Sequence, residues 1–510
     1  MRVLIIDIDT LRPDHMGCYG YHRNTTPNID RIAAEGTRFT NYYCSDAPCL
    51  PSRTALVTGQ HGIHSGVVTH GGTTAEFRHE GATRSTRSLH ELGGSLHSLF
   101  RYAGYHTVFV GPFIERHAIM EWGAGFMEIL NSGGGGHEKA DKVCPIALDW
   151  LERNAEREDW YLYVNFWDPH ARYGVPEEYG RKFADEPGPD WMTDEILAHH
   201  HTLAGSHTAA DYGPKQERLR RTKGEDWQKR QLMPPDLRTL DSWKTLIDGY
   251  DTCISYADMH VGKILSLLEE KGIGDDLMVI VTADHGENIG ELGIYCEHDT
   301  ATHSVCNIPL IVKLPGGKGG QVRDALHYNI DLVPTLNELF GLREKVEANY
   351  HARPPVWDGA SFADSLTGDH DEGRDYLVVG QLNHTCQRGV RWGDHMYTYT
   401  YHDGYALQLD EEMLFNVVDD PHQIENLAGA RPDLCAEASR LLHRWHTHMM
   451  KTMPHGYDTD PLWTVMREGG PCFARDKDLA PYFETLARTG RADKIAEYKR
   501  RHPEIGEQEP

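Results

Sequence analysis

The sequence predicts an α/β protein with a large, mostly parallel sheet sandwiched by helices, followed by a smaller antiparallel sheet with one helix. Three observations predict it. Short, wholly apolar runs alternate with helical patterns through roughly the first 370 residues, as parallel strands buried on both faces require. Beyond that point the strand-like runs become short and alternating. Acidic residues stand at the ends of two of the apolar runs, where ligand sites of open α/β sheets lie.

Taken in order, Val3-Leu4-Ile5-Ile6 is a central-strand pattern running into Asp7 and Asp9. Asn28 to Gly36 has a helical pattern, with Pro27 and Gly36 as its start and stop. Leu96 to Gly104 reads as a helix and His106 to Gly111 as a strand; helix Ala140 to Arg153 precedes strand Trp160 to Phe166. A long helix, roughly Trp243 to Lys271, leads into the apolar strand Leu277 to Thr282. Ile308 to Leu314 is strand-like and Asp331 to Gly341 helical. Tyr376 to Gln381, Gln387 to Trp392 and Met396 to Tyr401 form the second sheet, with Ala436 to Met449 as its helix. The expected divisions are a main unit over 1–370, a subdomain over 371–460 and an extension over 461–510 without a sheet role. Within the first, a polar stretch from Glu186 to Arg238, rich in His, Asp, Pro and Gly, reads as an insertion over the sheet.

Composition excludes several classes. The formal net charge of −26 gives an acidic surface and argues against nucleic-acid and anionic-membrane partners. No apolar run is long enough to span a bilayer. The chain opens directly on a strand pattern with no signal-peptide features. The expectation is a cytoplasmic protein, or one whose leader has been removed. The ten cysteines lack paired spacing and read as reduced thiols.

The sharpest local signal is Cys49-Leu50-Pro51-Ser52-Arg53, continuing to Gly59. Pro51 suits the first turn of a helix, which places Cys49 at a helix N-terminus, a setting that favours anions. Arg53 follows one turn on. Three readings of Cys49 are open: a buried structural thiol, a thiolate nucleophile of lowered pKa, and a modified residue. A second constellation is Thr282-Ala283-Asp284-His285-Gly286-Glu287, at the end of an apolar strand. Asp284 and His285 are natural divalent-metal ligands, and Asp9 would bring a further carboxylate to the same sheet edge, an arrangement that calls for a cation.

Cys-x-Pro-Ser-Arg followed by Thr-Ala-Leu-x-Thr-Gly resembles the formylglycine signature of the sulfatase family, type I enzymes of the alkaline phosphatase superfamily. Arg12 to Gly20, Thr26 to Asp30, Asp331 to Thr335, Leu414 to Pro421 and Glu425 to Leu427 follow the same resemblance. It implies that a maturase oxidises Cys49 to an aldehyde. The hydrate of that aldehyde attacks sulfur with one hydroxyl and later expels sulfate through the other. It implies one divalent metal held by Asp9, Asp284, His285 and residue 49, Ca²⁺ by family habit, with Mn²⁺ or Zn²⁺ admitted by the nitrogen ligand. Arg53 would stabilise the modified residue and the bound anion. His170, in Phe166-Trp167-Asp168-Pro169-His170, and His298, ahead of Ile308-Pro309, take the family's positions for groups that hold the sulfate or protonate the leaving oxygen.

The chain departs from the family in three places. Where many members carry two adjacent acids on the first strand, Asp9 is followed by Thr10; Asp7, on the same face, is either a further metal ligand or a hydrogen-bonded structural carboxylate. Where many have Asp-Asn, this chain has Asp284-His285, as in members that include phosphonate monoester and phosphodiester hydrolases. The lysine usual after the His106 strand is missing from Gly111-Pro-Phe-Ile-Glu-Arg-His117, leaving Arg116 or His117 as its replacement at the substrate. The resemblance therefore implies hydrolysis of a sulfate monoester on a small sulfated substrate, a saccharide by family habit. Phosphonate monoester or phosphodiester hydrolysis is the alternative within the family, and a catalytically silent binding protein the alternative outside it.

Overall fold

The computed structural model describes residues 1–77, 94–205, 207–212, 232–350, 356–453, 459–472 and 478–506. Its main sheet has eight strands, in the order Gln321–Arg323, Thr37–Phe39, Leu310–Lys313, Leu277–Thr282, Arg2–Ile8, Trp160–Phe166, His106–Val110 and Glu128–Leu130. The last five in this order are mutually parallel. Leu310–Lys313 runs antiparallel to both of its neighbours. The central strands are apolar because helices cover both faces: Val3 to Ile6 and Trp160 to Val164 are fully buried.

Two sets of mutually packed helices flank this sheet. Pro27–Glu35 and Ala140–Asn154 both pack on Leu240–Glu270. The long helix starts where Thr239 and Ser242 cap one another reciprocally. In the other set, Cys49–Thr58 contacts both Leu96–Tyr102 and Leu332–Phe340. The helix from Cys49 stops at Gly59, which lies in the left-handed region at φ 68°; a Cβ there would press on the Trp357 ring and Val333.

The second sheet runs Glu412–Asn416, His395–His402, Cys386–Trp392, Tyr376–Gln381, with helix Pro432–Lys451 packed on it. Its four long strands are antiparallel, as expected. A fifth, Asp46–Ala47, joins in parallel, pairing Asp46 with Gly380 and Ala47 with Gln381. The two sheets are thus tied together immediately upstream of Cys49. The three-residue strands Thr37–Phe39, Glu128–Leu130 and Gln321–Arg323, at or next to the sheet edges, are too short to show a period and were not predicted.

The extension is helical, over Pro461–Arg467, Ala480–Arg488 and Asp493–Arg501. Leu462 and Val465 pack on Val68, Leu382 and Cys386, while Phe483, Leu486 and Tyr498 pack on Tyr405 and Leu407. Of the expected insertion, helix Asp194–His200 is formed, and residues 206 and 213–231 lie outside the described residues. Among the described residues, no helix is long and apolar enough to cross a membrane.

Candidate active site

The parallel register sets Asp7 beside Asn165 on one side and Thr282 on the other, so the first strand and its neighbours end together. Asp9 follows the first strand, held by its N–H donating to the Phe166 carbonyl at 3.0 Å. Thr10 is forced to φ 55°, an uncommon conformation for a β-branched residue costing about 1–3 kcal/mol. In that conformation its N–H donates to Asp284 Oδ1 at 3.1 Å, and its carbonyl accepts the Tyr250 hydroxyl at 2.6 Å.

Cys49 is the first residue of its helix, above this edge. The Ser52 hydroxyl donates to the Asp284 carbonyl at 2.6 Å and locks the helix to the strand end. Cys49 Sγ lies 3.2 Å from His285 Nε2. Arg53 Nε donates to Asp7 Oδ2, and Nη1 to Asp284 Oδ2, both at 2.6 Å; Nη1 is also 3.0 Å from Asp9 Oδ2. One guanidinium therefore faces three carboxylates, all essentially without solvent exposure.

Ligand atoms of Asp9, Cys49, Asp284 and His285 lie within 4.8 Å of one another. Both Asp9 oxygens are buried and make no hydrogen bond among the described residues. The His285 ring is oriented by its Nδ1 against the Gly286 carbonyl at 2.7 Å, which directs Nε2 into the site. Three buried carboxylates sharing one guanidinium, one of them without a hydrogen bond, and converging oxygen and nitrogen donors fit a divalent cation. Asp7 is not among the four: its Oδ2 is taken by Arg53, by Tyr163 at 3.0 Å and by Asn165 at 2.9 Å. These contacts hold Arg53 in place, while the buried Asp7 Oδ1 makes no hydrogen bond among the described residues.

The electrostatics follow from burial and crowding. Burial, reinforced by the Asp284 charge, pushes Asp9 up to about 7. Burial also acts on Asp284, but Arg53 and then His285 override it and hold this carboxylate well below its usual range. Burial opposes a charge on His285, yet Asp284 and Cys49 keep its pKa well above that of a free imidazole. Burial and the neighbouring Asp9 push the Cys49 thiol up to about 11. A helix N-terminus alone would lower it; here desolvation and two carboxylates prevail.

The remaining predicted residues form a collar over Cys49. Ligand atoms of His170 and His298 fall within 4.8 Å of one another and of the Cys49 sulfur. His170 stacks on Trp167 with centroids 3.9 Å apart and its Nδ1 contacts the Ala171 carbonyl at 2.6 Å. His298 packs with its ring centroid 4.2 Å from that of His285, and its buried Nδ1 has no hydrogen bond among the described residues. Arg116 lies over Trp167, 3.7 Å from the ring centroid, and Nη1 contacts His137 Nδ1 at 2.6 Å. His117 groups with Cys49 and His70. Burial holds His170 and His298 well below their usual range, and burial together with Arg116 brings His117 to about 3.

Three neighbours were missed from the sequence. His70 accepts the Leu50 N–H at 3.3 Å through Nε2. His384 is 4.9 Å from the His298 ring and forms an ion pair with Asp299 at 2.8 Å. Burial alone would lower His384, but Asp299 raises it to about 10, so it is a cation beside the neutral imidazoles of His298 and His70. Lys139 Nζ sits 3.6 Å from Asp168 Oδ1 and 3.5 Å from the His170 carbonyl. None of the three stands in a recognisable motif; packing alone brings them in.

The family model described as Sulfatase matches residues 2–342, well over half of the chain. The chain belongs to the sulfatase family. An N-acetylglucosamine-6-O-sulfatase of Bacteroides thetaiotaomicron is 24% identical over 81% of this chain and 80% of its own length. A protein solved in complex with its substrate D-glucosamine-2-N,6-O-disulfate superimposes with a TM-score of 0.66 at 20% identity, covering 89% of this sulfatase and 99% of that chain. The phosphonate monoester hydrolase of Silicibacter pomeroyi gives a TM-score of 0.62 at 20% identity, covering 89% and 96%. Family membership makes this sulfatase a sulfuric ester hydrolase.

Metal binding to this sulfatase is expected to strengthen with pH. A cation held by Asp9 and His285 would displace a proton from Asp9 below about pH 7, and one from His285 as well. The apparent Kd for Mn²⁺, titrated calorimetrically between pH 5.5 and 7, should fall by about tenfold or more per pH unit. A pH-independent Kd would remove Asp9 from the ligand set.

Proposed function

We propose that this sulfatase hydrolyses a sulfate monoester carried on a carbohydrate, with residue 49 working as a formylglycine made from Cys49 by a maturase. The observation carrying the proposal is the thiol itself. It is buried against two carboxylates and pushed up to about 11, a setting that keeps it protonated at neutral pH and unsuited to thiolate chemistry. The same position has Arg53, Asp9, Asp284 and His285 gathered around it, which serves an oxygen nucleophile on residue 49. The carbohydrate assignment is supported by the N-acetylglucosamine-6-O-sulfatase relative and by the fold shared with the protein that binds a glucosamine disulfate.

Asp9, Asp284, His285 and residue 49 would hold the divalent cation, with Ca²⁺ the family's habit and the His285 nitrogen admitting Mn²⁺ or Zn²⁺. When bound, the cation balances the carboxylates and withdraws charge from the ester oxygens. Arg53, fixed by Asp7 and Asp284, orients the side chain of residue 49. Arg116 and His117 take the place of the absent lysine and face the substrate anion. His170 and His298 start neutral; the negative ester arriving beside them raises their proton affinity, and they hold its oxygens or protonate the leaving oxygen.

Mass spectrometry of the peptide spanning Cys49, paired with side-by-side assays of an aryl sulfate and a phosphonate monoester, tests the reading. The expected result is a peptide mass lowered by replacement of CH₂SH with CHO, and preferential sulfate release. The same modification with faster phosphonate cleavage would transfer the assignment to phosphonate hydrolysis. That reading is favoured by the Asp284-His285 pair and by the fold shared with the Silicibacter enzyme. An unmodified Cys49 that stays unmodified and inactive on co-expression with a maturase would refute the formylglycine step.

A further inference from the structure

Five imidazoles gather over and beside Cys49: His70, His117, His170, His298 and His384. Among the described residues, only His384 of these five has a carboxylate within ion-pair distance, Asp299 at 2.8 Å. Burial holds the other four well below the usual imidazole range. The rings of His285, His298 and His384 stand in a row, with successive centroids 4.2 and 4.9 Å apart. The outer two each face a carboxylate, Asp284 at 3.2 Å and Asp299 at 2.8 Å, and the middle ring faces none. His285 is taken up with Asp9 and Asp284 in the candidate cation site; His384 comes from the second sheet.

The second sheet builds His384 into the site. It stands in the loop between strands Tyr376–Gln381 and Cys386–Trp392. Gln381 Oε1 accepts the N–H groups of Asn383 at 2.7 Å and His384 at 3.1 Å, and its Nε2 donates to the His298 carbonyl at 2.6 Å. The Thr385 hydroxyl donates to the Asp299 carbonyl at 2.7 Å. Cys472, from the extension, is a further hydrogen-bond partner of the His384 ring. Gln381, Asp299 and His384 are all buried, so a charge on the ring is fixed in place and little screened by solvent. Ring nitrogens of His384 and His298 lie within 4.8 Å of one another, and a His298 nitrogen is equally close to the Cys49 sulfur. His384 is thus one side chain removed from residue 49.

We propose that His384, held by Asp299, is the fixed positive charge that draws the anionic group of the ester into the site from behind the neutral His298. In a chain of net charge −26, an anionic substrate needs such a local charge. His384 is a positioning residue, since it acts on the anion through space and past His298 and does not touch it. The inference rests on the reading of the site as one for a sulfate ester, which is negative before and during reaction. A charge that favours both states alike lowers KM and leaves kcat little changed.

The test is calorimetric titration of inorganic sulfate into the metal-loaded full chain, beside aryl sulfate kinetics. His384→Gln is expected to raise the sulfate Kd and the KM by about tenfold or more, with a smaller change in kcat. His384→Lys, which keeps the charge, should bring Kd back to within about threefold of wild type. Asp299→Asn leaves the ring in place without its ion pair and should weaken sulfate as His384→Gln does; it carries the test if His384→Gln does not fold. A Kd unchanged in His384→Gln or Asp299→Asn overturns the proposal. So does a loss in His384→Gln that His384→Lys fails to recover, which would mean a packing role, and so does a wild type that binds no sulfate. Sulfate binding is read without turnover, so faster phosphonate cleavage would move the assigned reaction and leave this result standing.

Discussion

Cys49→Ala is expected to lower kcat by about 10⁴- to 10⁶-fold, because on the proposed reading it removes the attacking atom and not merely a contact. The fold should survive. The substitution deletes one sulfur from a helix whose start is anchored elsewhere: Ser52 bonds the Asp284 carbonyl, and Asn329 donates to the Ser52 carbonyl at 3.1 Å. Stability should change by about 1 kcal/mol or less. Asp9, Asp284 and His285 remain, so the variant should still bind a divalent cation, measurable by calorimetry beside the lost turnover. Activity near wild type in the purified variant would dismantle the mechanism.

Arg53→Ala should have the largest effect on stability. It leaves Asp7, Asp9 and Asp284 facing one another without a counterion in a site closed to solvent. Removing one partner of a buried ionic group costs about 3–5 kcal/mol, and here three carboxylates lose the same partner. Protonation of Asp9, already raised to about 7 with Arg53 in place and raised further once the lowering charge of Arg53 is gone, relieves part of the repulsion, so the loss should deepen as pH rises. The sign follows from a folded pKa raised above the unfolded value: stability is present at low pH and is lost as pH rises toward and through the raised folded value. Divalent cation should restore part of the loss by standing in for the guanidinium charge. Thermal unfolding of metal-free and metal-loaded protein at two pH values checks all three statements. A melting point equal to wild type would mean the guanidinium does not carry the charge balance.

Much of this was legible in the sequence because burial writes itself into composition. Trp160–Phe166 and Leu277–Thr282 are almost wholly apolar, with polar residues only near the site end, since both faces are covered, and the structure gives them those bounds. The metal-type residues were legible because Asp9, Asp284 and His285 each sit at the end of such a run. His70 and His384 were not. They lie in loops, and what places them over residue 49 is the packing of Val68, Leu382 and Cys386 against the Pro461–Arg467 helix. That Asp7 anchors Arg53 could be seen only once Tyr163, Asn165 and Arg53 converged on its Oδ2.

Strand Asp46–Ala47 also has a consequence in time. Its pairing with Gly380 and Gln381 closes a loop over most of the chain, and contacts so distant in sequence form late and slowly. Until that pairing forms, the residues just ahead of Cys49 have no fixed place in the second sheet. On the proposed reading, this delay is the interval in which a maturase can reach a side chain that is 1% exposed once folding is complete. A chain that folds faster than it is modified would be trapped as a stable, inactive thiol protein.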